Sequence, residues 1–391
     1  MQLSAGGRFH AYACLRISVI LGLLAGFALS PKLWVSTRLF PLTPVWPFFR
    51  PLGHPGDSIV FAGLIALLLV LLMVPRGSLF AAAFALLLLE ALQDQSRWQP
   101  WVYQYTMMLG AIAIAGEARQ KGAMNTCRLV LAATYIWSGL AKLNPVFLNE
   151  TFPWLVDPLL RAFPAAAQTF VHRLALLAPC AESAAGIALL TTRFRRVGAV
   201  TAIAMHLFIL AAIGPFGLNF NFVVWPWNLT MIALLIILFL RPVEQPPWRD
   251  IVWGRGFAFQ KVVLVFFALA PLLSLVNLWD DYLSSALYSG NTNSAVLTLS
   301  DAAFNRLPDA LGDYVSVDGP NTNELDLDGW SLGEVHVPTY PETRIFKNLA
   351  RRVCQFTGRD PSVKLVVEGK IAFANGSRKT EYRCPDLLPA R

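Results

Sequence analysis

Charged residues are largely excluded from about nine long apolar blocks of this chain and gather in the segments between them. The block Ser58–Val74, for example, contains no charged residue. Such blocks approach the roughly 20 residues that an α-helix needs to cross the hydrocarbon core of a bilayer. The pattern therefore predicts an all-α polytopic membrane bundle of about nine transmembrane helices. The predicted spans are Ala11–Ser30, Ser58–Val74, Leu79–Gln93, Trp101–Ala115, Leu129–Leu140, Leu174–Leu190, Val197–Ile213, Phe222–Leu240 and Val262–Leu278.

The overall composition supports a membrane environment. Hydrophobic residues occupy 55% of the 391 positions and charged residues 14%, whereas soluble domains carry about 25% charged residues. The lipid bilayer is therefore the first expected partner of the chain. The first apolar block is too long for the core of a cleaved signal peptide, so we expect it to remain as a helix.

Basic residues predict the orientation of the bundle. Lys and Arg are more frequent in the loops on one side, as in the run Arg193, Arg195 and Arg196. Because basic loops stay in the cytoplasm, we expect a multi-pass protein of the cell inner membrane with a cytoplasmic N-terminus and an extracytoplasmic C-terminal domain. The formal charge of +8 reflects this asymmetry. No nucleic-acid-binding module accompanies the charge, so a nucleic acid is not an expected partner.

Two regions do not read as membrane spans. Residues 1–279 form the predicted transmembrane domain, and its proline-rich outer loop, residues 31–57, is expected at the outer interface or as a lid over the spans. Residues 280–391 are richer in Asp, Asn, Gly and Thr and form the predicted extracytoplasmic domain. There, Tyr340–Phe356 has helical spacing and Val363–Cys384 alternates like strands around a turn, which predicts a small α+β domain.

The cysteines divide between the two regions. Cys354 and Cys384 lie in the C-terminal domain, where an oxidising compartment would favour a bridge between them. The sequence leaves both the bridged and the reduced form open. Cys14, Cys127 and Cys180 lie in or beside spans and are expected to fill apolar space. No CxxC pair occurs, which argues against a thiol oxidoreductase.

The turn between the third and fourth spans holds the first candidate site. Asp94 and Arg97 are expected at the outer mouth of the bundle, where they could orient a substrate. The alternative is that the two charges neutralise each other in a polar turn before the helix start at Pro100.

Lys142, at the outer end of the fifth span, is the second candidate. A lysine partly withdrawn from water has a lowered pKa and can act as a base. Asn144 could hold the lysine or its substrate, and the small residues Ser138 and Gly139 allow a helix or ligand to approach closely. The alternative is that the side chain only reaches to the lipid headgroups.

Two ionisable residues deep in the spans form the third candidate. Glu182 and His206 each lie about 13 Å from the end of their predicted spans, so they can meet at similar height on adjacent helices. Charges at such depth face a partner or a cavity. The pair could be a proton relay or a plain interhelical hydrogen bond. Two such ligands do not make a metal site, and no metal is predicted.

The segments "YIWSGLAKLNPVF" and "AMHLFILAAIGPFGLNF" resemble the HTTM family, the membrane portion shared with vitamin K-dependent gamma-carboxylases. Tyr135, Gly139, Lys142 and Leu143 are similar to the family's (F/Y)xxGxxKL pattern, with one residue more between Tyr135 and Gly139 than the pattern has. In that family the lysine is catalytic near the lumenal or periplasmic face. The resemblance implies a multi-span scaffold with an outward C-terminal region and a lysine base. The compact helices are also similar to the DoxX/DoxD quinone-linked membrane proteins.

The chain departs from the carboxylases in three respects. The start of the fourth span, "QPWVYQY", has no histidine where that family has a functional one, the C-terminal region is shorter, and no propeptide-binding region is evident. The resemblance therefore implies the scaffold and the base but not glutamate carboxylation.

Three functions follow as hypotheses. The first is a membrane enzyme with Lys142 as base, with Asp94, Arg97 and Asn144 orienting the substrate, and with a quinone or other isoprenoid lipid as cosubstrate. The second is a non-catalytic subunit that docks a membrane-protein complex partner through the C-terminal domain. The third is proton or solute transport through Glu182 and His206.

Overall fold

A computed structural model describes residues 5–241, 245–254, 256–371 and 378–388, and it is mostly helical with a small sheet near the C-terminus. The contacts divide the chain into two compact units. The first unit, which we call the helical unit, comprises Met1–Leu29, Val60–Leu89 and Gln99–Asn291. The second, the mixed unit, comprises Ser30–Ile59, Glu90–Trp98 and Thr292–Arg391.

Twelve helices precede the C-terminal region in the described part of the chain. They are α1 (Ala5–Leu29), α2 (Gly56–Met73), α3 (Gly77–Gln93), α4 (Pro100–Ala115), α5 (Gln120–Ala141), α6 (Phe152–Leu160), α7 (Ala165–Arg173), α8 (Leu177–Leu190), α9 (Arg195–Ile213), α10 (Val224–Leu235), α11 (Trp248–Val252) and α12 (Ala258–Val263). Helix α10 continues as a π-helix to Leu240, and α12 continues through π and 3-10 turns to Val276.

Helices lie at all nine predicted blocks, but fewer of them are long and apolar enough to qualify as membrane spans. Among the described residues, four helical stretches qualify, and they are His10–Leu29, Gly56–Met73, Arg195–Ile213 and Ala258–Val276. Helices α7 and α8, bent by 44° at their junction, qualify together as a fifth. Nine spans are therefore not confirmed. Helix α3 and the stretch Val224–Leu240 are apolar but shorter than 18 residues.

Small residues bring α5, α8 and α9 into close contact. A methyl group added at Gly139 of α5 would lie 2.6 Å from the Pro179 carbonyl oxygen of α8. One added at Gly186 of α8 would lie 2.8 Å from the Ala132 carbonyl oxygen. Gly198 of α9 approaches the Ala185 carbonyl oxygen in the same way, at 2.7 Å. Small residues at such positions let helix backbones approach one another, so side chains beside the glycines can meet across the helix boundary.

The mixed unit contains a five-stranded antiparallel sheet in the order β2-β3-β1-β4-β5. Its strands are β1 (Ser294–Leu299), β2 (Val315–Gly319), β3 (Thr322–Leu325), β4 (Lys364–Glu368) and β5 (Lys379–Arg383). Its helices are α13 (Asp301–Phe304), α14 (Leu327–Glu334), α15 (Thr343–Phe356) and α16 (Cys384–Leu387). The small C-terminal α+β region is therefore observed, and the turn predicted between β4 and β5, residues 372–377, lies outside the described residues.

Alternation and helical spacing account for these elements. In the central strand β1, Leu297 is buried and pairs with Leu325 of β3 and Leu365 of β4. Helix α15 buries one face, as its spacing of apolar residues predicted. Cys354 and Cys384 form a disulfide that joins α15 to α16, so the bridged form is the one observed.

The proline-rich loop packs with the C-terminal region in the mixed unit. The carboxylate of Glu334 accepts the backbone N–H groups of Leu39 and Phe40 at 2.6 and 2.9 Å. The Asn348 side chain donates to the Leu42 carbonyl and to Thr43 Oγ1 at 3.0 and 2.8 Å. The sequence predicted that this loop belongs to the transmembrane domain, whereas the contacts group it with Thr292–Arg391. These side chains satisfy backbone groups that an irregular loop cannot pair by itself.

Candidate functional site

A cavity of about 60 Å³ lies within the helical unit. Helices α4, α5, α8, α9 and α10 line it together with the π-helical stretch Leu264–Leu269 and the segment 282–288, and its walls are mainly apolar. Its ionisable and polar lining residues include Tyr135, Ser138, Lys142, Glu182, His206, Asn228 and Tyr288. A volume of this size holds a few water molecules or a small polar group of a larger ligand.

Lys142 and Glu182 form an ion pair in this cavity. Lys142 directly follows α5, and its Nζ donates to Glu182 Oε2 of α8 and to Ser138 Oγ, each at 2.7 Å. The two charged side chains are 12% and 10% exposed, respectively. Since Gly139 allows α5 and α8 to approach, the carboxylate comes within reach of the lysine. Lys142 is thus held inside the fold by a counter-charge.

Tyr135, His206 and Asn228 form a second hydrogen-bonded group in the same cavity. The Asn228 amide nitrogen donates to the Val224 carbonyl at 2.8 Å, which directs its Oδ1 toward His206 Nδ1 at 2.7 Å. Because an amide oxygen only accepts, Nδ1 carries the proton. His206 Nε2 is then the acceptor for the Tyr135 hydroxyl, also at 2.7 Å. The contacts therefore define one tautomer of the imidazole and the direction of the phenol proton.

The predicted meeting of Glu182 with His206 is realised only in part. Both side chains line the cavity, but Glu182 binds Lys142 and His206 binds Tyr135 and Asn228. The prediction rested on matched depth along two spans, and depth does not define which way each side chain points.

The sequence indicated no chemical role for Tyr135, and it left Asn228 open as either a cavity-lining or a helix-packing residue; Asn228 lines the cavity. A signal for Tyr135 was present, because Tyr135, Ser138 and Lys142 are spaced i, i+3, i+7 and so share one face of α5. Asn228 lies on α10, and nothing in the sequence indicated that it would bind His206.

Tyr288, in the segment 282–288, also lines the cavity. Its hydroxyl accepts from the Asn221 side chain at 2.7 Å. Burial raises the pKa of Tyr288, although the Asn221 hydrogen bond acts in the opposite direction. The phenol therefore remains protonated and neutral over the physiological pH range.

Asn144 supports the chain just after Lys142. Its amide nitrogen donates to the carbonyl oxygens of Ala141 and Ser289 at 2.8 and 2.9 Å, and its Oδ1 accepts the Phe147 N–H at 2.9 Å. Asn144 is not among the residues that line the cavity. Its contacts attach the end of α5 to the segment that carries Tyr288.

Asp94 and Arg97 belong to the mixed unit and do not line this cavity. Arg97 pairs with the carboxylate of Glu90 and also donates to the Leu33 carbonyl at 3.0 Å. Asp94 pairs with Arg38. All four of these charged side chains are almost completely buried. Asp94 and Arg97 therefore take different partners, because both Glu90 and Arg38 come within reach in the folded chain. Asp94 still attracts Arg97, so the four charges form one buried cluster.

Comparison with known proteins returns no relative. No family model, no curated protein and no solved structure matches the chain. Among the described residues, no group of three or more His, Cys, Asp or Glu side chains could hold a metal ion. Any functional conclusion therefore depends on the geometry of the cavity.

Proposed function

We propose that this chain is a multi-pass enzyme of the inner membrane, built on the carboxylase-like HTTM scaffold with about nine spans. In this proposal the N-terminus is cytoplasmic and the site opens outward. The enzyme transfers a proton between Lys142 and a small polar group of a lipid-soluble substrate. The observation that carries the proposal is the Lys142–Glu182 pair in a cavity that also holds Tyr135 and His206.

Proton transfer within the ion pair would make Lys142 a base without any proton acceptor from outside the cavity. If the ammonium of Lys142 gives a proton to the carboxylate of Glu182, the products are a neutral amine and a neutral carboxylic acid. The amine then accepts a proton from the substrate, and the acid can return its proton to a product atom. Proton transfer by a positioned side chain typically accelerates a reaction about 10²–10⁴-fold.

Tyr135, His206 and Asn228 place hydrogen-bonding side chains in the same cavity as the ion pair. Asn228 holds the neutral imidazole of His206, and the imidazole holds the hydroxyl of Tyr135. The phenol oxygen keeps lone-pair capacity for a substrate donor. This arrangement positions a ligand group without adding a net charge to the site.

The size of the cavity restricts the substrate class. About 60 Å³ accommodates the reacting group but not a long apolar chain. A quinone or other isoprenoid lipid would therefore insert only its polar end and keep its tail in the bilayer. The apolar lining, which includes Met231 and Phe267, suits such a ligand.

The test compares lipid extracts from cells that carry the wild-type chain, the Lys142→Met variant or no copy of the chain. We expect Lys142→Met to accumulate the same lipid species as the deletion. We expect the double Lys142→Met, Glu182→Leu variant, in which no charge is left without its partner, to do the same in a protein that remains folded and abundant. Lys121→Met, a change at an exposed lysine of α5, is the matched control and should match the wild type. A Lys142→Met profile identical to the wild type, against a changed deletion profile, would argue for a non-catalytic subunit.

Transport is the second candidate, and the contiguity of Lys142, Glu182 and His206 along one cavity favours it. Its test is proton flux into vesicles that contain the purified chain and a pH-sensitive dye. Flux that depends on Glu182 and His206 would support transport. Flux equal to that of empty vesicles would remove this candidate.

A further inference from the structure

A second cavity, of about 290 Å³, lies within the mixed unit. One wall is the segment 36–42, and the other is formed by Asn348, Arg351, Arg352 and Gln355 of α15. We call this feature the arginine groove. It is separate from the Lys142 site, and the proposed function makes no use of it.

The groove carries an excess of positive charge. Arg38, Arg351 and Arg352 line it, and its described lining contains no carboxylate. Arg38 is neutralised by its ion pair with Asp94. Nearby Glu334 uses its oxygens on backbone N–H groups of the loop and on Trp330. The charges of Arg351 and Arg352 therefore have no counter-charge in the lining.

The two guanidinium groups are held in place but remain available. Arg351 donates from Nε to the Leu387 carbonyl at 2.9 Å. Arg352 lies over the Phe356 ring at 4.6 Å and donates to Gln355 Oε1 at 3.3 Å. Each guanidinium has five N–H donors, and each of these hydrogen bonds occupies only one of them. Both side chains line the groove, and a guanidinium fork matches the oxygens of a phosphate group.

The surroundings of the groove favour a lipid phosphate over a free one. The mixed unit includes residues 56–59, the first turn of the candidate span Gly56–Met73. Trp46 and Phe48 follow the groove segment by four and six residues; their rings stack at 5.9 Å, and they are 46% and 81% exposed. Exposed aromatic residues of this kind are typical of the level of lipid headgroups.

We propose that the arginine groove binds the phosphate of an anionic phospholipid headgroup, with Arg351 and Arg352 as its ligands. Trp46 and Phe48 enter the headgroup layer beside it. The pocket is close to the lower limit of ligand cavities, which suits a headgroup whose acyl chains remain outside.

The test titrates the full chain in detergent with phosphatidylglycerol, phosphatidylcholine or inorganic phosphate and counts bound molecules by native mass spectrometry. We expect phosphatidylglycerol to bind more tightly than phosphatidylcholine and to resist displacement by phosphate. Each arginine near a membrane surface contributes about fivefold to binding, so the double Arg351→Gln, Arg352→Gln variant should bind about 25-fold more weakly.

Three further variants complete the experiment. Arg306→Gln removes an exposed arginine of the same unit that does not line the groove, and it should bind like the wild type. The double lysine variant keeps the charge and should retain most of the binding. If the double glutamine variant fails to fold, Arg352→Gln alone, which leaves the Arg351–Leu387 bond intact, should still weaken binding about fivefold.

The proposal is overturned if the glutamine variants bind phosphatidylglycerol as tightly as the wild type, or if no lipid binds. It is also overturned if phosphatidylcholine binds equally well. Displacement of the lipid by millimolar phosphate would assign the groove to the free anion instead.

Discussion

Lys142 Nζ and Glu182 Oε2 lie 2.7 Å apart although forty residues separate them in the chain. Three observations explain the contact. The two residues lie on neighbouring helical segments, Gly139 and Gly186 allow these segments to approach, and Ser138 gives the ammonium a second acceptor. The pair concentrates opposite charges in an otherwise apolar cavity, and its behaviour can be measured without knowledge of the substrate.

Removal of one partner of this pair should destabilise the protein strongly. Lys142→Met leaves a carboxylate in the cavity without its counter-charge, and breaking a buried pair costs about 3–5 kcal/mol. The double Lys142→Met, Glu182→Leu variant should cost less than the sum of the single changes. A titration with denaturing detergent that measures the free energy of unfolding checks both. Single variants that each cost under about 1 kcal/mol would indicate a solvated pair.

The tautomer of His206 is a direct prediction of the hydrogen bonds. We expect ¹⁵N NMR of histidine-labelled protein to show a protonated Nδ1 and an unprotonated Nε2 at His206. Tyr135→Phe should shift the Nε2 resonance and reduce stability by about 1 kcal/mol, since it removes one hydrogen bond. Exposed His54 serves as the reference within the same spectrum. A protonated Nε2 in the wild type would contradict the assignment.

Arg97 should contribute to stability rather than to the reaction. Arg97→Met leaves the buried Glu90 carboxylate unpaired and removes a donor from the Leu33 carbonyl, so we expect a loss of about 3–5 kcal/mol. Arg50→Met, at an exposed arginine of the same unit, is the control and should change stability by less than about 0.5 kcal/mol. A folded, equally stable Arg97→Met variant that lost only activity would restore the orienting role expected from the sequence.

The disulfide between Cys354 and Cys384 should stabilise the mixed unit. It closes a loop of 30 residues, for which loop entropy predicts a contribution of about 3.5 kcal/mol. Replacement of both cysteines by serine should lower the free energy of unfolding by about that amount. Cys180→Ser, at an exposed free cysteine, should have little effect. Thiol titration of the denatured, unreduced wild type should find three free thiols, and five would show that the bridge is absent.

Asp360 should make stability fall at low pH. Hydrogen bonds from the Ser362 side chain and backbone lower the pKa of Asp360, and the Arg306 guanidinium adds to this effect. Because its pKa is lower in the folded protein, ionised Asp360 stabilises the fold. This stabilisation is fully present above the ordinary carboxyl pKa of about 4, and it is lost as the pH falls through the lowered pKa. Asp360→Asn should therefore flatten this part of the stability profile between pH 5 and pH 2. Asp318→Asn, at an exposed site, should not.

Local patterns in the sequence determined the elements of this fold. Apolar blocks predicted the positions of nine helical segments. Helical spacing predicted α15, because its apolar residues recur about once per helical turn. Alternation predicted β4 and β5 on either side of a turn. Each of these inferences needs only neighbours along the chain, since one turn or one pleat is enough to display the period.

The partners of the charged residues were decided by the tertiary structure alone. Their depth along the spans predicted a contact between Glu182 and His206. In the structure Glu182 forms an ion pair with Lys142. His206 is hydrogen-bonded to Tyr135 and Asn228 instead. Nearness in sequence pointed to Asp94 with Arg97, yet Arg38 and Glu90 are their partners. A pairing depends on how each helix is rotated and where glycines let backbones approach. These are properties of whole packed surfaces, which no local period encodes.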